Sequence, residues 1–508
     1  MGAEHRRSVV AGQAIARALL EYGERGGGTV AGPGTPEAWV AFDACVRREV
    51  CTGGRRGPWD GPGGWSAPVV PVGLRLCHPD GRVREAALRR PYTVSLPLPL
   101  VVIRCADPVP AVRARARRLL VATLAAWPRE TVLQSTGTVL LMGARRHGGW
   151  ALEFFEAALH AREPRLAQWW RVGLLARPGR GQAEELLAAL RRAGHLPTRR
   201  FAARLTTARR GMTVDVLARE AVAESDPGTA RLWTDALLAA LGGPGVPAGR
   251  RQRDAGAVAG SVDALLGARQ PLVRAAGVTA LGPAGRGAEA VRHLTDPSRF
   301  VRARARRLVG EQGGDPAGLY RRLVAEAAEP SPYAVAGLAE CRGDGAVTVL
   351  QDLLAHPAGR VRAAALAGLR LLRAVTEEEL LAALMDDAPP VVREACRALL
   401  PGAAALDPDA LFPLLAPRVA LPARRAAFRL LRARGGIHEP RAAVALLEDG
   451  NPELRATACL TVLGYHWDAG RFDDAAEREE LAALLRKTRH LFTRPQLDAR
   501  RGLPEAGG

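Results

Sequence analysis

One arginine returns at a fixed interval in the last third of the chain. Arg362, Arg393, Arg424 and Arg455 follow one another at intervals of 31 residues. Such a period is the sequence signature of a repeat protein, in which each unit packs only on its neighbours. A chain of 508 residues would otherwise be expected to split into several separate cores. The interval therefore predicts a stacked array of similar units.

A short pattern surrounds these arginines and recurs earlier in the chain. Aspartate or histidine, often followed by proline, comes several residues before the arginine. An aliphatic residue usually stands directly before the arginine, and a small residue stands three positions after it. Aspartate caps the first turn of a helix, and proline suits the first helical position. The aliphatic and small residues share one helix face, where a second helix can approach closely. The pattern occurs around Arg84, Arg113, Arg302, Arg362, Arg393 and Arg455, and in a weaker form around Arg274 and Arg424.

The segments from Asp107 to Ala116 and from Asp296 to Ala305 resemble short HEAT repeats, the kind also found in phycobilin-lyase-like proteins. In that family the aspartate and the arginine form a ladder between successive repeats. The resemblance implies the ladder pairs Asp107 with Arg113, Asp296 with Arg302, Asp387 with Arg393, and Asp449 with Arg455. It also implies ladder positions for Arg84, Arg362 and Arg424, although His78 and His356 replace the aspartate in two repeats.

A unit of about 30 residues has room for two helices and two turns. The apolar residues are mostly Ala, Leu and Val, and Ala and Leu are strong helix formers. We therefore predict an all-α fold, a right-handed α-α superhelix (an ARM/HEAT-type solenoid) of helical hairpins of about 30 residues. The predicted parts are a helical segment with Gly-rich loops over 1–70, an array over 71–255 that is degenerate in 131–255, a second array over 256–490, and a tail over 491–508.

The chain has a formal charge of +20, and 71 of its 72 basic residues are arginine. Residues 71–375 carry +21 and residues 376–508 carry −2. A field of this sign attracts phosphates and acidic surfaces. The excess is densest in a heptapeptide that begins at Arg113 and recurs at Arg302. Its further arginines form a candidate binding ridge, with a solvated helix face as the alternative: Arg115, Arg117, Arg118, Arg304, Arg306 and Arg307.

Trp169 and Trp170 are a second candidate feature, since they precede another arginine in the basic part of the chain. Core packing is one interpretation of such a pair. A stacking platform for nucleic-acid bases is the other.

No motif of a known reaction stands out. The seven cysteines form no CxxC pair, so we expect no zinc site. The only lysine, Lys487, follows Arg486, so the Gly-Lys of a phosphate-binding P-loop is absent. We predict no catalytic, cofactor-binding or metal-binding residues and no cofactor. No apolar run is long enough to span a bilayer, and no signal peptide precedes the array, so we expect a cytoplasmic protein without membrane contact.

Two functional hypotheses follow. The first is a non-enzymatic scaffold that mediates protein–protein interaction, with an acidic protein partner favoured by the charge. The second is a nucleic-acid-binding solenoid, similar in its logic to the HEAT-like alkylpurine DNA glycosylases, which combine a basic concave face, tryptophans and one catalytic carboxylate. Asp235, Glu153 and Glu156 are candidates for that carboxylate, and the sequence favours none of them.

Overall fold

A computed structural model describes residues 3–22, 33–52, 70–89, 96–160, 180–209, 211–242 and 255–492. Across these ranges the chain forms helices and turns and contains no strand, which confirms the predicted all-α fold. Within each unit, neighbouring helices pack on one another, as expected of an α-solenoid. The right-handed twist stays a prediction. Two compact units are present, Met1–Gly277 and Val278–Gly508.

The first unit consists of helices joined mostly by short turns. They are α1 (Ala3–Tyr22), α2 (Pro36–Cys51), α3 (Val72–Cys77), α4 (Gly81–Ala87), α5 (Leu98–Arg104), α6 (Pro110–Ala126), α7 (Pro128–Met142), α8 (Gly149–His160), α9 (Arg180–Arg191), α10 (Leu196–Thr207), α11 (Val214–Ala223), α12 (Pro227–Gly242) and α13 (Ala255–Leu266). Helix α14 (Pro271–Leu281) contains the division between the two units.

The second unit continues with α15 (Arg299–Glu311), α16 (Pro316–Ala325), α17 (Pro332–Cys341), α18 (Ala346–Asp352), α19 (Gly359–Leu372), α20 (Glu377–Ala382), α21 (Pro389–Leu399), α22 (Pro408–Leu411), α23 (Leu421–Arg434), α24 (His438–Ala445), α25 (Pro452–Gly464) and α26 (Ala475–Thr488). Short 3₁₀ helices directly follow five of these, at Leu353–Ala355, Ala383–Met385, Leu400–Gly402, Phe412–Leu415 and Arg489–Leu491.

In the stretch 131–255, where the repeat pattern is weak, the sequence predicts helices at 150–162, 165–177, 182–192 and 229–241. Those expected at 150–162, 182–192 and 229–241 are confirmed, with α8, α9 and α12 beginning and ending within two residues of the predicted limits. The helix expected at 165–177 lies outside the described residues.

In the second unit α19, α21 and α23 pack side by side. We call these three the arginine helices, and α18, α20, α22 and α24, with their 3₁₀ extensions, the linking helices. The small residues of the repeat pattern are buried between helices, and Ala365 and Ala427 are fully inaccessible to solvent. Alanine at these positions lets neighbouring helices approach closely, which is why the pattern requires a small side chain there.

Candidate interaction surface

The guanidinium group of a ladder arginine forms hydrogen bonds with the turn that precedes its own helix. In α4, Arg84 is the fourth residue after the N-cap, Asp80. Its Nη1 donates to the carbonyl oxygens of His78 and Pro79, at 2.7 and 2.6 Å. These carbonyls lie at the turn where the preceding helix ends, so the guanidinium satisfies acceptors that the helix cannot. The same bond to carbonyls five to seven residues earlier is made by Arg113, Arg274, Arg302, Arg362, Arg424 and Arg455.

The rest of the guanidinium group reaches forward to a carboxylate of the next repeat. Nε and Nη2 of Arg84 donate to the two oxygens of Asp107, at 2.9 and 2.8 Å, and both side chains are buried. Asp107 in turn accepts a hydrogen bond from the backbone N–H of Val109, at 3.0 Å. One carboxylate therefore caps its own helix and anchors the previous repeat. An equivalent fork joins Arg362 to Asp386, and Arg302 uses Glu340. Arg424 reaches Asp449 through one hydrogen bond from Nη2 and an ion-pair contact of Nε at 3.0 Å.

The predicted pairs within one repeat are joined through the main chain. Arg113 binds the carbonyl oxygen of Asp107, and Arg455 binds that of Asp449. Asp296 offers its carbonyl oxygen to Arg302 at 2.8 Å, while its carboxylate accepts the N–H of Ser298 at 2.7 Å.

The predicted pair Asp387 with Arg393 is wrong by one residue. The N-cap of α21 is Ala388, so the fourth residue after it is Val392, which is buried. Arg393 is exposed, and no other described residue forms a hydrogen bond or ion pair with it. The residue equivalent to Asp107 is Asp386, whose carboxylate accepts the N–H of the N-cap residue Ala388 at 2.8 Å. Asp387 is an exposed side chain beside Arg362. The equivalent ladder positions are therefore Arg362, Val392 and Arg424, which are separated by 30 and then 32 residues. The constant interval of 31 residues between arginines does not reveal this difference.

Histidine replaces the ladder carboxylate in two repeats and keeps one of its roles. Nδ1 of His78 accepts the N–H of Asp80, and Nδ1 of His356 accepts that of Ala358, each at 3.0 Å. Nε2 of His356 then donates to the carbonyl oxygen of Ala328, at 3.2 Å. Partial burial lowers the pKa of His78 below its usual value. Imidazole thus caps the helix in its neutral form.

One ladder position lies where the sequence pattern is weak and was not predicted. Arg199 is the fourth residue after His195, the N-cap of α10. Its Nη1 donates to the carbonyls of Ala193 and Gly194, and its Nη2 lies 3.7 Å from a carboxylate oxygen of Glu224. Threonine replaces the aliphatic residue before this arginine, which hides the pattern, but the alanine three residues after it is retained and buried.

The six arginines of the candidate ridge differ in what they contact. Arg115 and Arg117 donate to main-chain carbonyls. Arg306 binds Glu340, and Arg307 pairs with Glu311 one turn along its helix. The remaining two, Arg118 and Arg304, are exposed. Three of the six arginines, Arg115, Arg117 and Arg306, are therefore bound to other parts of the fold. Trp169 and Trp170, the second candidate feature, lie outside the described residues.

Exposed arginines gather elsewhere, on the arginine helices. These three helices contain ten arginines and one acidic residue, whereas the linking helices contain six acidic residues and one arginine. Seven of the ten arginines are exposed. We call this set the arginine face: Arg360, Arg370, Arg393, Arg397, Arg425, Arg429 and Arg432.

Few carboxylates neutralise the arginine face. Glu394 is buried and accepts from Arg370 and Arg397. Glu453 and Glu439 each lie beside one further arginine, Arg425 and Arg432 respectively. Arg360, Arg393 and Arg429, one on each helix, have no hydrogen bond or ion pair with any described residue. The face therefore keeps an excess of positive charge.

The three alternative carboxylates considered for base-excision chemistry have different surroundings. Glu156 binds Arg204 at 2.6 Å, Asp235 lies 3.4 Å from Arg231, and Glu153 is exposed. Across the described ranges, no group of three or more His, Cys, Asp or Glu side chains could hold a metal ion. Nor does any helix in those ranges have the length and apolar character needed to cross a membrane.

Comparison of the chain with protein-family models and with curated protein sequences finds no match.

Proposed function

We propose that this chain is a non-enzymatic scaffold of HEAT-type repeats, and that the arginine face binds an acidic segment of a partner protein. The main support is that arginines on the same helices fall into two classes, which differ in burial and in their ion pairs. Ladder arginines such as Arg362 and Arg424 are largely buried and hold carboxylates. The seven arginines of the face are exposed, and three of them, Arg360, Arg393 and Arg429, have no hydrogen bond or ion pair with any described residue.

Segregation of charge supports binding over simple solvation. A helix face that only keeps a protein soluble commonly mixes both signs. Here acidic residues concentrate on the linking helices and arginines on the arginine helices. Arginine presents a planar fork of donors that fits a carboxylate through two parallel hydrogen bonds. An acidic polypeptide laid across three adjacent helices could meet several such forks.

Apolar side chains in register with the arginines favour a protein partner. Arg397 and Arg429 are each the ninth residue after their N-cap, and Leu460 holds the same place in α25. Leu460 is 70% exposed. Protein interfaces combine arginine with apolar anchors. Phe428 is the only aromatic residue in the arginine helices and is buried, so these helices offer no exposed ring on which nucleic-acid bases could stack.

The test uses fluorescently labelled poly-L-glutamate and measures binding by anisotropy at about 50 and 200 mM salt. The face variant carries Arg360→Glu, Arg393→Glu and Arg429→Glu, one reversal on each helix. The control variant carries Arg322→Glu, Arg418→Glu and Arg486→Glu, which are exposed arginines outside the arginine helices. The proposal expects the face variant to lose roughly tenfold or more in affinity, since exposed ion pairs contribute about 0.2–1 kcal/mol each and reversal adds repulsion.

Two results would contradict the proposal. Equal losses in both triple variants would show that only net charge matters. Duplex or single-stranded DNA that binds more tightly than poly-L-glutamate, and is lost in the face variant, would replace the protein partner with nucleic acid.

A further inference from the structure

The ladder of the first unit is interrupted after Arg113. Nη1 of Arg113 binds the carbonyl oxygens of Asp107 and Pro108, at 2.5 and 3.2 Å, as in the other repeats. In Arg84 and Arg362, Nε and Nη2 donate to a carboxylate of the next repeat, and Arg424 pairs with Asp449 in the same direction. Within the described ranges, no carboxylate pairs with Arg113. The forward side of its guanidinium group therefore has no ladder partner there.

An arginine occupies the place of the missing carboxylate. In the complete repeats the carboxylate stands two residues before the N-cap of the next ladder helix, as Asp107 does before Val109 and Asp386 before Ala388. The next helix after α6 and α7 in this series is α8, which begins at Gly149. Gly148 precedes it, so the equivalent residue is Arg146. The ladder here sets a positive group, Arg146, at the position that Asp107 and Asp386 occupy in the complete repeats.

Further cationic groups converge on the same loop. Nη2 of Arg117 donates to the carbonyl oxygen of His147 at 3.2 Å, and its guanidinium lies 4.8 Å from the ring centre of Trp150. Partial burial, and then the charges of Arg113, Arg146 and Arg117, lower the pKa of His147 below its usual value. Three guanidinium groups are therefore close enough to act on one imidazole. None of the three forms an ion pair with another described residue.

Like charges held together without a counter-charge disfavour each other, and a bound anion relieves that repulsion. We propose that Arg113, Arg117 and Arg146, with His147, form a phosphate-binding site that completes the ladder in place of a carboxylate. The Nε and Nη2 fork of Arg113, which holds two oxygens in the other repeats, can hold two oxygens of a phosphate. A phosphate dianion matches three guanidinium groups better than a single carboxylate does.

The experiment measures binding of inorganic phosphate, glycerol phosphate and acetate to the full chain by calorimetry, with thermal melting in parallel. The wild-type chain should bind phosphate at least tenfold more tightly than acetate, with the melting temperature rising as phosphate is added. Tighter binding of glycerol phosphate would assign the site to a phosphate monoester, and tighter binding of inorganic phosphate would assign it to the free anion. Absence of phosphate binding would overturn the proposal.

Arg146→Glu gives the sharpest variant, because it restores the ladder carboxylate within the chain. It should abolish phosphate binding and raise the melting temperature without phosphate. Arg118→Glu makes the same charge change at an exposed residue of α6 and should retain binding. Equal loss of binding in both would show a general charge effect and overturn the site. Should Arg146→Glu fail to fold, Arg146→Gln tests the same arginine and should weaken phosphate binding.

A second readout separates binding at this site from binding elsewhere. The imidazole pKa of His147, followed by NMR, should rise when phosphate is added, because the anion offsets the neighbouring guanidinium charges. A His147 signal that titrates identically with and without saturating phosphate would place the anion at another site and overturn the assignment.

Discussion

Arg84 donates hydrogen bonds to both carboxylate oxygens of Asp107, which belongs to the next repeat, and both side chains are buried. The same cluster includes Arg104, which donates to Asp107 at 3.1 Å and to Asp43 at 2.5 Å. Removing one partner from a buried ion pair leaves an uncompensated charge, which costs far more than losing a surface pair. Helices α2, α4 and α5 are therefore joined by charge as well as by apolar packing.

Arg84→Ala should lower the free energy of unfolding by about 3–5 kcal/mol, because Asp107 would lose its fork in a site closed to water. Urea denaturation followed by circular dichroism measures this. Arg82→Ala, an exposed neighbour on the same helix, should change the stability by less than about 0.5 kcal/mol. Similar losses in both variants would contradict the ladder.

The corrected register makes a separate prediction. Arg393→Ala should leave stability within about 0.5 kcal/mol of wild type, because that side chain is exposed. Val392→Ala should cost about 1–3 kcal/mol, since Val392 is buried in the core of the second unit. Thermal and urea unfolding of the two single variants would decide between the registers, and a larger loss in Arg393→Ala would restore the one predicted from the constant interval.

Much of this architecture could be predicted from the sequence, because the repeat pattern reports local rules. Helix caps, a buried small residue and an arginine that closes a turn each act within a few residues. The forward partner acts across a whole repeat, so the sequence could not show that Arg302 would use Glu340. Nor could the interval reveal that valine replaces the ladder arginine in α21, because an arginine directly follows it.

The arginine face escaped sequence analysis for a physical reason. Residues 376–508 carry a net charge of −2, so no basic segment stands out there. The acidic residues of the linking helices cancel the arginines in the sum, although folding places the two sets on different helices. Conversely, the arginine-rich heptapeptides looked like a binding ridge, but side chains such as Arg117 and Arg306 are bound within the fold.

A pH dependence follows from Asp386. Partial burial raises the pKa of this carboxyl group, but hydrogen bonds from Arg362 and the N–H of Ala388 outweigh it, so the pKa lies below its usual value of 3.8. A carboxyl group whose pKa is lowered by folding stabilises the fold above its unfolded pKa, and that stability is lost as pH falls through the folded pKa. Asp386→Asn should therefore be less stable than wild type at pH near 7, with the difference shrinking below pH of about 4.

Urea denaturation at several pH values measures this difference. Asp352→Asn is the control, since Asp352 is exposed and should show little difference from wild type at any pH. A gap between Asp386→Asn and wild type that stayed constant down to pH of about 2 would contradict the ion-pair explanation.

Two helical glycines give a matched test of packing in the second unit. A Cβ added at Gly337 would lie 2.1 Å from the ring of Tyr320, which is buried and donates its hydroxyl to the carbonyl oxygen of Leu294. Gly337→Ala should therefore destabilise the protein by about 1–3 kcal/mol. A Cβ at Gly310 meets nothing within 4 Å, so Gly310→Ala should stabilise it by about 0.5–1 kcal/mol. Melting temperatures that shifted the same way in both variants would contradict this packing.

Adjacent residues of α23 test the division of the arginines most directly. Arg424 is a ladder residue bound to buried Asp449, and Arg425, like Arg429, belongs to the arginine face. The decisive measurement compares stability and poly-L-glutamate binding for Arg424→Ala and for Arg425→Ala combined with Arg429→Ala.

The first variant should lose about 3 kcal/mol of stability while its folded fraction binds as wild type does. The double variant should keep its stability and bind about two- to tenfold more weakly. Unchanged stability in Arg424→Ala, or unchanged binding in the double variant, would contradict the separation of structural and binding arginines.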